Sequence, residues 1–106
     1  MINLDDFKKV ELVVAKILEV ENIPERDKLY RIKLSLGDEQ RYIISGIKQY
    51  YKPEELIGKK IIIIKNLEPK TIAGYQSNGM LLAAYDGRVL SLITVDRDIP
   101  EGTLIS

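Results

Sequence analysis

The chain has 106 residues, 45% of them hydrophobic, with 16 basic and 16 acidic side chains and neither histidine nor cysteine. That is enough for one domain with one core and too apolar for disorder. Without Cys or His, the common zinc sites, cysteine nucleophiles and Ser–His relays are unavailable.

Further exclusions follow from pattern. No GxxxxGK[ST] or GxGxxG element is present, and no loop has the spaced acids of a calcium site. The chain therefore reads as non-catalytic, with no cofactor and no metal. Its apolar runs, Ile61 to Ile64 among them, are far too short to span a membrane, and "MINLDDFKKVE" lacks the apolar centre of a secretory signal. A cytoplasmic location is expected, and the absence of cysteine agrees. The zero net charge hides an uneven distribution: −3 over residues 1–25, +5 over 26–70 and −2 over 71–106. A basic middle between acidic ends can present one positive face on a neutral molecule.

In chain order, "NLDDFKKVE" reads as one helical turn, with Asn3 as N-cap and Asp5 and Asp6 at its positive end. "VELVVAKILEV" follows as a long strand, with even positions Val10, Leu12, Val14, Leu18 and Val20 on its buried face. Pro24 in "NIPERDK" breaks the pattern. "LYRIKLSL" sets Tyr30, Ile32, Leu34 and Leu36 against Arg31, Lys33 and Ser35, and after the turn "GDEQ" the segment "RYIISGI" is a third strand. "KPEELIGKK" has Pro at a helix start and Gly58 at its end, so it reads as a short helix. "KIIIIKNL" is a fourth strand buried on both faces. A connector of about a dozen residues, "EPKTIAGYQSN", precedes "GMLLAAYDGRVLSLITV", which reads as a hairpin folded at Asp86-Gly87.

This order predicts an all-β fold: a five-stranded Greek-key barrel of the OB type, with a short helix between strands three and four and extra terminal segments, as a single domain over residues 1–106. An SH3-like barrel is the rival, and the helix placement favours the OB type. Such barrels bind oligonucleotides or sugars on the face of strands two and three, between two loops. Arg31 and Lys33 stand on that face, Arg41 opens strand three, and Lys28 and Lys70 lie in the flanking loops. These cations suit a phosphate backbone. The alternatives are solvated strand faces, with Arg and Lys opposite Glu residues, or a protein partner. Tyr50 and Tyr51 are either base-stacking platforms or, the preferred reading, one ring packed inside and one on the surface. Ser77 and Asn78 are hydrogen-bonding groups or turn formers, and Met80 is core filler or a base contact.

The segments "DFKKVELVVAKILEV", "DKLYRIKLSLGDEQR", "SGIKQYYKPEELIGKKIIII", "NLEPK" and "SNGMLLAA" together resemble the tRNA-binding domain family. Its members include free-standing dimeric tRNA-binding proteins and the C-terminal or beta-subunit module of methionyl-tRNA synthetases; a chain that opens with Met1 and holds only the module most resembles the archaeal beta subunit. The resemblance implies an OB barrel whose terminal segments build a homodimer. It also implies tRNA as ligand, recognised by shape and backbone, and a methionyl-tRNA synthetase catalytic subunit as a possible partner. It carries over Lys28, Arg41, Asn66, Ser77 and Met80 as RNA-contacting positions, beside Arg31, Lys33 and Lys70. Glu68 and Ala73 depart from a run that is usually more basic, which implies either a weaker tRNA affinity or a larger share of it on Lys65, Lys70 and Arg31. A sister branch of secretion-related chaperones that bind polypeptides is the alternative.

Overall fold

The structure, a computed structural model, describes all residues from Met1 to Ser106. Helix α1, Leu4–Lys8, is capped by the Asn3 side chain, which accepts from the Asp6 amide at 2.8 Å. The long strand β1, Leu12–Asn22, is followed by β2, Tyr30–Ser35, and β3, Gln40–Ser45. Helix α2, Pro53–Leu56, has Pro at its first turn, and the Glu55 carboxylate accepts from the Lys52 amide at 2.8 Å. Then come β4, Lys60–Ile64; β5, Lys70–Ile72; β6, Tyr75–Ser77; β7, Met80–Leu81; β8, Ala83–Tyr85; and β9, Leu90–Leu92.

The main sheet is antiparallel in the order β3-β2-β1-β4-β7. It curls so that its edge strand β3 meets the segment leading into β7: the Asn78 amide donates to the Tyr42 carbonyl at 3.0 Å, and the Ile44 amide to Ser77 Oγ at 2.9 Å. This is the expected five-stranded OB arrangement, with α2 between the third and fourth barrel strands. Ile17, Ile32, Leu34, Ile43, Leu56, Ile61 and Ile63 are fully buried at its centre. Tyr30 joins them; its hydroxyl donates to the Tyr51 carbonyl at 2.8 Å, and burial pushes the phenol above its ordinary pKa. Tyr51 packs on the core while Tyr50 stays exposed, in line with the preferred reading of that pair.

Two expectations need correction. The core face of β1 is not the even one: Val13, Ala15 and Ile17 join the core, while Leu12 and Leu18 are half-buried and Val10 is exposed. A register shift between Ile17 and Glu19 then returns Val20 to the core side, opposite Ile32. A bulge of this kind bends the strand and reverses the alternation that a plain period of two assumes. Val14 is also buried, because the C-terminal segment lies along β1. Gly102 and Ile105 donate to Val14 and Leu12 carbonyls, both at 2.8 Å. Second, the connector after β4 is no open loop. Its centre is the two-stranded ladder β5–β6, turned by Ala73 (φ +53°) and Gly74 (φ +84°), both left-handed as a tight two-residue hairpin turn requires.

Lys60 fastens the same C-terminal segment. Its ammonium donates to Asp98 at 2.7 Å and to the Ile99 carbonyl, and lies 3.8 Å from Glu101. No helix is long and apolar enough to cross a membrane, and no three acidic side chains are grouped to hold a metal ion.

Candidate nucleic-acid interface

The outward face of β2 carries Arg31 and Lys33, opposite Ile44 and Tyr42 on β3 and Glu21 and Glu19 on β1. The β5–β6 hairpin approaches this face. The Arg31 guanidinium carbon lies 3.6 Å from the centre of the Tyr42 ring and 5.3 Å from that of Tyr75, the first residue of β6. Arg31 also pairs with Glu21 at 3.3 Å. Where the base of the hairpin meets β3, Ile44, Leu67, Glu68, Lys70, Ile72 and Met80 line an open recess, with Ser77 and Gly79. Gly79 is required there: its φ is +121°, and a Cβ would stand 2.8 Å from the Ile64 carbonyl oxygen.

The eight residues singled out from sequence divide into two groups. Lys28, Lys70 and Met80 are exposed and Lys33 is half-exposed, all free of ion pairs. The other four are engaged inside the protein. Ser77 is 4% exposed, and its hydroxyl donates to the Gly79 carbonyl at 3.3 Å while accepting from Ile44. Asn66 accepts from the Glu11 amide at 2.9 Å and donates to the Lys9 carbonyl at 2.7 Å, tying the start of β1 to the end of β4. Arg41 alternates with Tyr42 and so lies on the opposite face from the recess, opposite Leu34. It donates to the Lys65 carbonyl at 2.8 Å and the Asn78 carbonyl at 3.2 Å and pairs with Glu39 at 2.8 Å. Arg31 is held by Glu21 and the two rings.

Met80, Ser77 and Lys70 are thus brought to one recess, with Arg31 and Lys33 on the adjoining strand. Asn66 and Arg41 are not part of it; Arg41 instead borders a shallow cleft with Gln40, Tyr42, Lys65 and Pro69. Sequence reading missed Tyr42 and Tyr75. Tyr42 is legible from alternation, as the residue beside Lys33 on the wet face; Tyr75 carries no such signal, because its segment reads in sequence as a loop.

The profile of the family described as "Putative tRNA binding domain" matches residues 12–104. The chain belongs to this family. It is 53% identical over 105 residues to a methionine–tRNA ligase of Caldanaerobacter subterraneus subsp. tengcongensis and 51% identical to one of Methanococcus maripaludis, covering 99% of this chain in each case. It spans 16% of the length of each of these relatives, so the match is to a module and not to their whole chains. Among solved structures, a MetRS-related protein of Pyrococcus horikoshii superposes with TM-score 0.94 at 34% identity, covering 100% of this chain and 98% of that one. The CsaA chaperone protein of Picrophilus torridus superposes with TM-score 0.91 at 37% identity, covering both chains entirely.

Proposed function

We propose that the chain is a non-catalytic tRNA-binding module that acts as a dimer and raises the tRNA affinity of methionyl-tRNA synthetase, as its beta subunit or C-terminal appendix, in the cytoplasm. The observation that carries this reading is the set of unpaired cations, Lys33 on a face bordered by the β5–β6 hairpin, Lys70 in that hairpin and Lys28 in the loop before β2, in a chain about half identical to a segment of methionine–tRNA ligases. Unpaired lysines without base-reading geometry suit a ligand recognised by backbone and shape. A module tethered to an enzyme, or doubled in a dimer, adds avidity without touching the reacting atoms.

Support for the dimer is the apolar surface where the termini meet: Leu4, Phe7, Val10 and Leu104 are exposed around one recess. Exposed apolar clusters of this kind mark contact surfaces. Light scattering at micromolar concentration tests it, and a monomeric mass removes the dimer from the proposal.

Filter binding of bulk tRNA across a salt series tests the central claim. Binding at low salt that falls steeply as salt rises is expected, since phosphate contacts release counterions. Absence of binding at low salt, or a flat salt response, overturns it. The end-to-end likeness to a CsaA chaperone favours a second reading, a polypeptide-binding chaperone. That reading predicts suppressed aggregation of an unfolded client that excess tRNA does not reverse.

A further inference from the structure

Arg31 is an obvious phosphate ligand by sequence, but its surroundings argue for another role. Its side chain is 28% exposed, and a phosphate approaching the guanidinium meets the Glu21 carboxylate already 3.3 Å away. Like charges at that range repel. Its Nε is buried without a hydrogen-bond partner, and the cation lies against two aromatic rings. The nearer ring, Tyr42, belongs to the sheet; the other, Tyr75, belongs to the hairpin.

The hairpin is held at two places. At its base, Ser77 and Asn78 bond to Ile44 and Tyr42. At the turn end, Tyr75, paired with Ile72, meets Arg31. We infer that Arg31 is a positioning residue: the Tyr42–Arg31–Tyr75 contact latches the turn end of the β5–β6 hairpin onto the sheet and presets the wall of the RNA-binding face. This rests on the reading of that face as a tRNA surface. A hairpin already in place loses less conformational freedom when RNA binds, and that freedom is otherwise subtracted from affinity. Planarity matters as much as charge, because a guanidinium presents a flat, delocalised cation to a ring and an ammonium only a compact point charge. The Glu21 carboxylate fixes the guanidinium from the β1 side and leaves the rings their stacking partner.

The test uses Tyr75→Leu, Tyr75→Phe, Arg31→Lys and Arg31→Leu in the full chain, with two readouts. The first is amide hydrogen exchange over residues 70–77 in the free protein. The second is tRNA binding across a salt series. Tyr75→Leu and Arg31→Lys are expected to speed exchange in the hairpin several-fold and to weaken tRNA binding about three-fold, the scale of one lost cation–π contact, with an unchanged salt slope. Tyr75→Phe keeps the ring and is expected to match the wild type. Unchanged exchange in Tyr75→Leu overturns the latch. So does wild-type tRNA affinity in Arg31→Lys combined with a slope about one unit smaller in Arg31→Leu, because that pattern belongs to a direct phosphate contact. If the wild type itself binds no tRNA, the functional reading falls, while the exchange comparison still decides the latch.

Discussion

Ser77 Oγ accepts the amide of Ile44 at 2.9 Å from a position 33 residues further along the chain, and this hydroxyl ties the β5–β6 hairpin to β3, the edge strand of the curled sheet. The buried amide has no water to fall back on. Ser77→Ala should therefore destabilise the fold by about 1–3 kcal/mol, the cost of an orphaned buried donor. In urea denaturation the midpoint should drop with the m-value unchanged. An unmoved midpoint would mean that the Ile44 amide finds another acceptor.

The free lysines should behave differently. Lys28→Ala and Lys70→Ala are each expected to leave the urea midpoint within about 0.5 kcal/mol of wild type. Each should reduce the slope of log K against log salt by about one unit, uniformly across tRNA species. Arg41→Met, which breaks bonds to the Lys65 and Asn78 carbonyls, should do the reverse, costing stability first. If both lysine variants keep the wild-type slope, the binding surface lies elsewhere.

The Lys60–Asp98 pair predicts a pH signature. The hydrogen bond from Lys60 holds the Asp98 carboxyl below the usual carboxylate range, helped by the ammonium's charge. The same bond raises Lys60 above the ordinary lysine value, against the opposing effect of burial and with help from the Asp98 and Glu101 charges. A depressed carboxyl contributes stability that is present above about pH 4 and lost as pH falls through its folded value; a raised ammonium contributes stability that is present below about pH 10 and lost as pH rises through its folded value. The melting-temperature gap between wild type and Asp98→Asn should therefore be widest between those limits and shrink at both ends. A gap constant with pH would assign the effect to something other than the ion pair.

Ala73 occupies the left-handed region at φ +53°, where a Cβ is costly. Ala73→Asn or Ala73→Gly should raise stability by about 1 kcal/mol. Thermal melts of the two variants check this, and a lower melting temperature in both would mean that the Ala73 methyl makes a packing contact worth more than the strain.

Much of the fold was readable locally. Alternation in "LYRIKLSL" placed Tyr30, Ile32, Leu34 and Leu36 inward, and Pro53 and Gly58 bounded α2. Beyond that, long-range pairing decides. Val13 to Ala15 are buried on both faces because residues 102–105 return to them, and no window around β1 contains that information. The β5–β6 hairpin has three-residue strands and Ala-Gly at its turn, where Asn-Gly would have announced it. The site shows the same limit: the internal bonds of Asn66, Arg41 and Ser77 run to partners 55 to 57, 24 to 37, and 33 residues away in sequence, beyond any local window.

The return of residues 102–105 to β1 also bears on how the molecule assembles. β1 to β3 form a meander of neighbours, which can close early at little entropic cost. The bonds from Gly102 and Ile105 to Val14 and Leu12 join segments nearly the whole chain apart, and contacts of that separation form late. Weakening the clasp should leave the refolding rate almost untouched and speed unfolding. The C-terminal clasp then governs how long the barrel stays shut, while the meander governs how fast it forms.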